Sequence, residues 1–348
     1  MRRSRKPLSV VRRIEGSNPS PSAHSLVVRA AALAVAAVVA VLIAAPAADA
    51  HVRTSRSAVD FRVRVFPLRE AARGVLTARV YESDLALALT VADRSAVVLV
   101  LGYLGEPAIR VDHAGVAVNE GSPTAAGMGL LKGAPRAAGA PVWQRRSSGR
   151  SIVWHDNRVR GLPAGVDRGR WSVPLIVNGR RTQLAGAIRR VHAPAAWPWF
   201  VLGLPFVGAV ALLFLLARQH VRTAAVAFGP LASVGLLVSA AGFALDTYSS
   251  EGKWVEAANE LIFVLVGVLL VLRGSPDTRA IAGGALGLLA LAVGLSKIPV
   301  LLHGIVLSAL PAEVARTVVV LTICFGGAAT AAGLGVFANL LEMGPESL

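Results

Sequence analysis

The sequence predicts a mixed fold, in which an all-β domain resembling an immunoglobulin-like sandwich precedes an all-α membrane bundle of five helices. Three observations support this. A basic N-terminus runs into an apolar segment, residues 51–194 carry short alternating runs separated by turn signals, and five long apolar runs follow Trp197. The whole chain of 348 residues is 54% hydrophobic and 16% charged, which is more apolar than an average soluble protein.

Residues 1–50 have the pattern of a signal peptide. A basic, Ser/Pro-rich stretch is followed by an Ala/Val-rich run that ends in Ala48-Asp49-Ala50, which fits the small-x-small cleavage rule. Cleavage there would make His51 the first residue of the mature chain, whereas the alternative is an uncleaved signal anchor. The first 25 residues or so resemble an over-extended start, with translation beginning near Val27 or Val28.

Residues 51–194 are predicted to form the β domain. Alternating apolar and polar residues over 59–68 indicate a strand, and two apolar runs flank Asn178-Gly179, which is a strong hairpin signal. Short strands with frequent turns favour a sandwich, and the Gly/Pro/Ala-rich segment from Glu120 to Arg150 suggests a long loop. The single cysteine, Cys324, provides no disulfide framework, so this domain must be stabilised by its own core.

Residues 195–341 are predicted to form the membrane domain, with 342–348 as a cytoplasmic tail. Its five apolar runs are long enough to span a bilayer and lie at 197–218, 223–245, 255–273, 280–304 and 315–341. The positive-inside rule places two basic loops in the cytoplasm, those with Arg218, His220 and Arg222 and with Arg273 and Arg279. We therefore expect a multi-pass protein of the cell membrane with an extracellular N-terminal domain, a cytoplasmic C-terminus and the lipid bilayer as its partner.

Polar side chains interrupt the apolar runs near one end of the bundle. Glu260 and Lys297 should lie at similar depth and pair, because an unpaired charge within a bilayer is costly. The same end of the bundle is expected to gather Asp246, Glu256, His303 and Glu313. The functional interpretation is an entry site for an ion, a proton or a metal, and the alternative is a structural ion pair with ordinary interfacial caps.

The stretch WHDNR, residues 154–158, is the main candidate site of the β domain. In the structural interpretation Trp154 fills the core and Asp156 pairs with Arg158 at the end of a strand. In the metal-binding interpretation the free amine and imidazole of His51 chelate Cu(II), and His155 and Asp156 complete the site. Adjacent strand residues point to opposite faces, so shared ligation by His155 and Asp156 would require a turn or bulge there.

Enzymatic motifs are absent from the sequence. It contains no phosphate-binding Gly-rich loop after a strand, no GxSxG and no HExxH, and we therefore expect a non-enzymatic protein. The net charge of +16 is not arranged as a basic stripe interleaved with aromatic residues, so no nucleic-acid partner is expected. The sequence favours a cell-envelope protein whose external β domain serves binding or assembly, and copper or other metal handling is the alternative.

Five short motifs resemble a family of uncharacterised actinobacterial envelope proteins, namely LGYLGEPAIRV (101–111), VAVNEGSP (116–123), APVWQRRSSG (140–149), VWHDNRVRG (153–161) and the closing hairpin (171–191). That family has a signal peptide, an external β domain of the LGYxGEP…WHDHR type and C-terminal membrane helices. The resemblance implies the same organisation here, with other envelope proteins as partners. Asn157 stands where the family has a second histidine, which weakens the metal interpretation because an amide is a poor ligand for copper or zinc.

Overall fold

A computed structural model of the chain describes residues 56–131, 140–216, 220–249 and 253–342. Side chains are described in the same ranges except at residues 210–216 and 341–342. The predicted signal peptide and His51 lie outside these residues. The described part comprises an N-terminal region of antiparallel sheets and a C-terminal region of apolar helices, as the sequence predicts at this coarse level.

The described residues include eleven strands in the N-terminal region and a twelfth among the helices. Their bounds are β1 Ala58–Val59, β2 Phe61–Val65, β3 Leu76–Val80, β4 Ala86–Val91, β5 Val98–Leu101, β6 Pro107–Asp112, β7 Gly115–Asn119, β8 Trp143–Ser147, β9 Ser151–His155, β10 Arg168–Val177, β11 Arg180–Arg190 and β12 Ile305–Val306.

Two sheets of unequal size pack around one core. The larger has the order β2-β11-β10-β5-β6-β7-β8 and the smaller β3-β4-β9, with all pairs antiparallel. Along β10 the buried side chains recur at every second residue, Trp171, Val173, Leu175 and Val177, as expected for a sheet with one face in the core. The immunoglobulin-like assignment is not confirmed, because a seven-plus-three division differs from the more even sheets of that fold.

The hairpin predicted at Asn178-Gly179 is present. Val177 pairs with Arg180, and Asn178 and Gly179 have φ of 49° and 79°, which is the left-handed geometry of the favoured two-residue turns. The predicted loop from Glu120 to Arg150 is wrong in part, since it contains the short helix α1, Pro123–Gly127, and the edge strand β8. Ser122 caps α1 by accepting a hydrogen bond from Ala125 N at 3.1 Å, a local signal that the Gly/Ala-rich composition obscured.

In the part of the helical region that the structure describes, there are five long helices and one short one. Their bounds are α2 Trp197–Leu216, α3 Val221–Ala244, α4 Trp254–Arg273, α5 Pro276–Ser296, α6 Pro299–Leu302 and α7 Ala312–Glu342. Four stretches are long and apolar enough to cross a membrane, namely Val221–Ala244, Trp254–Arg273, Pro276–Leu302 and Ala312–Leu340. These support a multi-pass membrane protein. The predicted count of five spans is not confirmed, because α2 has described side chains only in its first part, Trp197–Ala209.

Helices α3, α5 and α7 approach closely through glycine. A Cβ added at Gly283 would lie 2.2 Å from the carbonyl oxygen of Ala225, and one at Gly284 would lie 2.7 Å from Cα of Gly333. Such contacts let backbones meet where larger side chains would separate them, as in other membrane bundles. Helix α4 is different, since Ile262, Leu265, Val266 and Leu272 are each more than half exposed, which suits a lipid-facing helix.

The fourth predicted span, 280–304, does not form one continuous helix. Helix α5 ends at Ser296, Lys297 caps it, and after α6 the chain extends into β12. Strand β12 pairs antiparallel with β1 through Ala58↔Val306 and Val59↔Ile305. The helical region thus supplies a strand to the N-terminal region, and we call this contact, residues 56–60 with 303–307, the junction.

Two side chains stabilise the junction. Asp60 accepts hydrogen bonds at 2.8 Å from His303 Nδ1 and at 3.0 Å from Gly304 N. Arg316, which is 3% exposed, donates to the carbonyl oxygens of Val300 and His303 at 3.2 and 3.1 Å. These carbonyls lie where the helix is broken, so the guanidinium provides donors that a continuous helix would otherwise supply.

Replacing Gly283 with alanine should destabilise the bundle by roughly 1–3 kcal/mol, because the new methyl group would overlap the backbone of α3. Thermal unfolding of the full chain in detergent micelles measures the effect. Gly327→Ala is the matched control, since a Cβ there meets nothing within 4 Å. Equal stability of the two variants would contradict the close approach of α3 and α5.

Replacing Arg316 with methionine should destabilise the protein by about 1–3 kcal/mol for each buried carbonyl left without a donor. Exchange of the backbone amides of residues 303–307 with deuterium should accelerate, because Arg316 contacts that segment. The control is Arg168→Met, an exposed position on β10, with an expected change within about 0.5 kcal/mol. Unchanged exchange at 303–307 in R316M would disprove the role of Arg316.

Candidate functional site

The WHDNR stretch lies where β9 ends. Trp154 is 2% exposed and belongs to the core between the two sheets, and His155 pairs in register with Ala86 of β4. Asp156, Asn157 and Arg158 follow in a turn, in which Val159 N donates to Asp156 O at 2.8 Å. The stretch is therefore a strand end anchored by its tryptophan, as the structural interpretation predicts.

Asp156 is the centre of a buried hydrogen-bond network. Its carboxylate accepts from Arg158 Nε at 2.9 Å, from an Arg158 terminal nitrogen at 2.7 Å, from Arg158 N at 3.0 Å and from Trp154 Nε1 at 3.2 Å. Burial acts to raise the pKa of Asp156, but the hydrogen bonds and charge of Arg158 outweigh it and hold the pKa below its ordinary value. The carboxylate is thus stably ionised and fully engaged.

Arg158 extends this network to the loop after β5. Its third nitrogen donates to the carbonyl of Leu101 at 3.0 Å, and its guanidinium lies 5.0 Å from the ring centroid of Tyr103. The Tyr103 hydroxyl accepts from Asn157 N at 3.0 Å. We call the set Trp154, Asp156, Arg158 and Tyr103 the node.

The LGYLGEP motif positions Tyr103 in the node. Glu106 accepts hydrogen bonds from Leu104 N and the Ser122 hydroxyl, at 3.1 and 2.8 Å, and a Cβ at Gly102 would lie 2.1 Å from its carboxylate. Partial burial would raise the pKa of Glu106, but bonds from Thr124 and Ser122 lower it overall. The LGYLGEP and WHDNR motifs therefore contact each other and stabilise one cluster of loops.

His155 and Asp156 do not point to a common metal site. The imidazole is two-thirds exposed and lies 3.3 Å from Asp84 Oδ2, whereas the Asp156 carboxylate is buried on the opposite face of the strand. Within the described residues, no group of three His, Cys, Asp or Glu side chains is arranged to hold a metal ion. The copper site that includes His51 stays a prediction, since His51 lies outside the described part.

An open groove of about 840 Å³ adjoins the node. Three arginines line it, Arg158, Arg160 and Arg170, together with aromatic and aliphatic side chains, namely Tyr103, Trp171, Leu162, Pro163, Val166 and Ile188. We call it the arginine groove. Arg160 and Arg170 are exposed, and no carboxylate is among the described side chains that line the groove.

Trp171 lines this groove but carries an unsatisfied donor that is buried rather than open to it. The residue is 5% exposed, and its indole Nε1 has no hydrogen-bond partner among the described residues. The ring lies against Gly186 on β11, where a Cβ would come within 2.3 Å of it. A buried N–H without an acceptor is costly, so the indole lowers the stability of the core at this position.

The predicted membrane polar cluster divides into separate contacts. Lys297 Nζ lies 3.9 Å from Glu260 Oε1, so the predicted pair is present, and both residues line a cavity with Glu256. Asp246 lies 3.0 Å from Lys253 Nζ, at the edge of the same cavity. His303 belongs to the junction instead, where it contacts Asp60 at 2.8 Å, and Glu313 lies at the start of α7, where it contacts Arg316 at 2.8 Å.

Several residues of these sites were not anticipated from the sequence. Arg316 lies in the first turns of a predicted span, and an arginine at such a position is a signal for a buried partner. Asp60 continues the alternation of residues 59–65 and so carried no signal, and the structure places it between β1 and β2. Arg160, Arg170 and Trp171 carried no local signal, because the groove forms only when the loop after the node folds against β10.

Replacing Asp156 with asparagine should destabilise the protein by roughly 1–3 kcal/mol at neutral pH, because Arg158 loses its charged acceptor. Since the folded pKa of Asp156 is lowered, its contribution is fully present above its ordinary value of about 3.9 and is lost as pH falls through the lower folded value. The stability difference between wild type and D156N should therefore persist down to about pH 4 and shrink below it.

Chemical denaturation of both proteins in detergent across this pH range measures the difference. Asp167→Asn serves as the control, because Asp167 is 62% exposed and lies 3.8 Å from Arg190, so its change should stay within about 0.5 kcal/mol. A wild-type advantage that grows as pH falls below 4 would contradict the assigned ionisation of Asp156.

Comparison with known proteins adds no identification to this geometry. No protein-family model matches the chain, and neither a curated protein nor a solved structure matches it. The likeness to the actinobacterial envelope family therefore stays a prediction from its motifs.

Proposed function

We propose that the chain is a multi-pass membrane protein of the bacterial cell envelope, whose β domain lies on the outer face and binds an anionic lipid in the arginine groove. The four apolar helices support the membrane part of this proposal. The distribution of Arg and Lys in the loops supports the orientation. The junction supports a β domain held in a fixed position at the bundle rather than on a free linker.

Two exposed arginines, Arg160 and Arg170, beside an apolar and aromatic wall carry the choice of ligand, since the third arginine, Arg158, is already engaged by Asp156 and the Leu101 carbonyl. Arginine recognises phosphate groups through paired N–H donors. Leu162, Pro163 and Val166 provide an apolar surface beside these donors. A phosphate head group with the first part of its acyl chains has both features.

The position of the groove favours a lipid over a soluble anion. Gly161 and Leu162 line the groove and also line a smaller cavity that includes Asp60 and His303 of the junction. One end of the groove therefore lies at the junction with the helical bundle. Head groups are concentrated at this level, and the groove is open to them.

Binding rather than catalysis is the proposed role. The carboxylate nearest the groove, Asp156, is engaged by Arg158 and Trp154 and is not free to act as a base. Neither a carboxylate nor an imidazole is among the described residues that line the groove. A bound lipid would be held, presented or sensed without a chemical step.

The double variant Arg160→Gln/Arg170→Gln should weaken binding of short-chain phosphatidylglycerol about tenfold or more, equivalent to roughly 1.4 kcal/mol. The measurement is the change in tryptophan fluorescence when this lipid is titrated into the full chain in non-ionic detergent. Wild-type binding should weaken with added salt, because exposed charge pairs are screened.

The matched control is Arg168→Gln/Arg181→Gln, two exposed arginines on β10 and β11 that do not line the groove. Phosphatidylcholine of the same chain length tests the need for net negative charge. Equal binding of both lipids, or equal loss in both double variants, would contradict the proposed site.

A further inference from the structure

The cavity next to the junction contains a buried carboxylate that the proposed function does not use. It measures about 90 Å³ and is lined by Ser57, Ala240, Phe243, Lys253, Glu256, Ala257, Glu260, Ser296 and Lys297. One water requires roughly 10–15 Å³ on this measure, so several waters fit. The wall combines three helices with residue 57 of the N-terminal region, which we call the lid residue.

The hydrogen-bonding capacity of the Glu260 carboxylate is not satisfied by its surroundings. The residue is 6% exposed, and its Oε2 has no hydrogen-bond partner among the described residues. The other oxygen, Oε1, lies 3.9 Å from Lys297 Nζ, which is beyond hydrogen-bond distance. A buried ionised carboxylate requires both a countercharge and hydrogen bonds, and here the hydrogen bonds are missing.

The neighbouring ammonium groups have other partners. Lys297 Nζ lies 4.8 Å from the ring centroid of Phe243, and Lys253 Nζ lies 5.5 Å from the same centroid. Lys253 also donates at 3.0 Å to Asp246 and at 3.3 Å to the carbonyl of Arg56. Neither lysine therefore has Glu260 as its only interaction partner.

The balance of charge around the cavity favours one additional positive charge. The charged groups facing it are Lys253 and Glu256 near the start of α4, Glu260 one turn further, and Lys297 at the end of α5, with Asp246 behind Lys253. Two ammonium groups and two carboxylates line the cavity, and Asp246 behind Lys253 adds a third carboxylate, so the five groups carry one net negative charge when all are ionised. Uptake of a single proton makes the set neutral.

We propose that this cavity is a proton-binding site, in which Glu260 accepts a proton from water in the cavity. The protonated carboxyl becomes a hydrogen-bond donor, and the Oε2 atom that lacks a partner gains one in water or in a serine hydroxyl of the wall. A metal cation fits less well, because Lys297 lies close to the same carboxylate and would repel it.

The site is connected to the junction through the segment before β1. Ser57, the lid residue, accepts through its carbonyl a hydrogen bond from Leu307 N at 2.9 Å, and the Arg56 carbonyl accepts from Lys253. A change in charge at Glu260 acts on Lys297 and Lys253, and Lys253 contacts this segment directly. Proton binding therefore alters the contacts that hold the β domain on the bundle.

Infrared difference spectroscopy of the full chain in detergent, recorded against pH, tests the site. The wild type should show the C=O stretch of a buried protonated carboxyl group, and this band should be absent in Glu260→Gln. Glu313→Gln is the matched control and should retain it, because Glu313 is 71% exposed at the start of α7. A band of equal intensity in E260Q and wild type would overturn the proposal.

A second variant keeps the test valid if E260Q fails to fold. Lys297→Met removes the neighbouring ammonium, so protonation of Glu260 should extend to higher pH, with the midpoint moving up by roughly 1–3 units. An unchanged midpoint in K297M would refute the proposal. A band that disappears on addition of NaCl, but not of choline chloride at equal ionic strength, would assign the site to a metal cation and would also overturn it.

Discussion

The structure depends on one constraint. The backbone must remain hydrogen-bonded where the helix of the fourth apolar stretch, residues 280–304, is broken. A chain in or beside a bilayer must satisfy each peptide group internally, and a helix that stops leaves carbonyls and amides without partners. Here β12 bonds to β1, Asp60 binds Gly304 N, and Arg316 donates to the carbonyls of α6 and the residue after it. The contacts that satisfy the backbone of the broken helix therefore also attach the β domain to the bundle.

That attachment determines what the two candidate sites can do. The arginine groove is formed by a loop that reaches the junction, so the groove is held next to the bundle instead of moving with a free domain. The cavity at Glu260 is closed by the segment that leads into β1. The arginine groove and the Glu260 cavity both adjoin the junction between β1 and β12. A change at either site therefore acts on the pairing of these strands.

Structural features that depend on periodicity and local composition could be predicted from the sequence. The alternation along β10, the Asn178-Gly179 hairpin and the long apolar runs are local features, and so is the Asp156–Arg158 pair two residues apart. The sequence did not predict β12 or the groove, because these depend on residues that are far apart in the chain. The unequal division into sheets of seven and three strands also depends on long-range pairing, for which hydrophobic patterns carry no signal.

The junction also constrains how the protein is made. Asp60 and His303 are 243 residues apart in the chain, so their contact cannot form until the ribosome has synthesised nearly the whole protein. The β domain has its own core and can fold earlier. It must then wait, with the edge of β1 uncovered, until helices α2 to α6, which precede β12 in the chain, have been synthesised. Biogenesis therefore includes a late docking step, during which this edge is exposed to chaperones and to neighbouring chains.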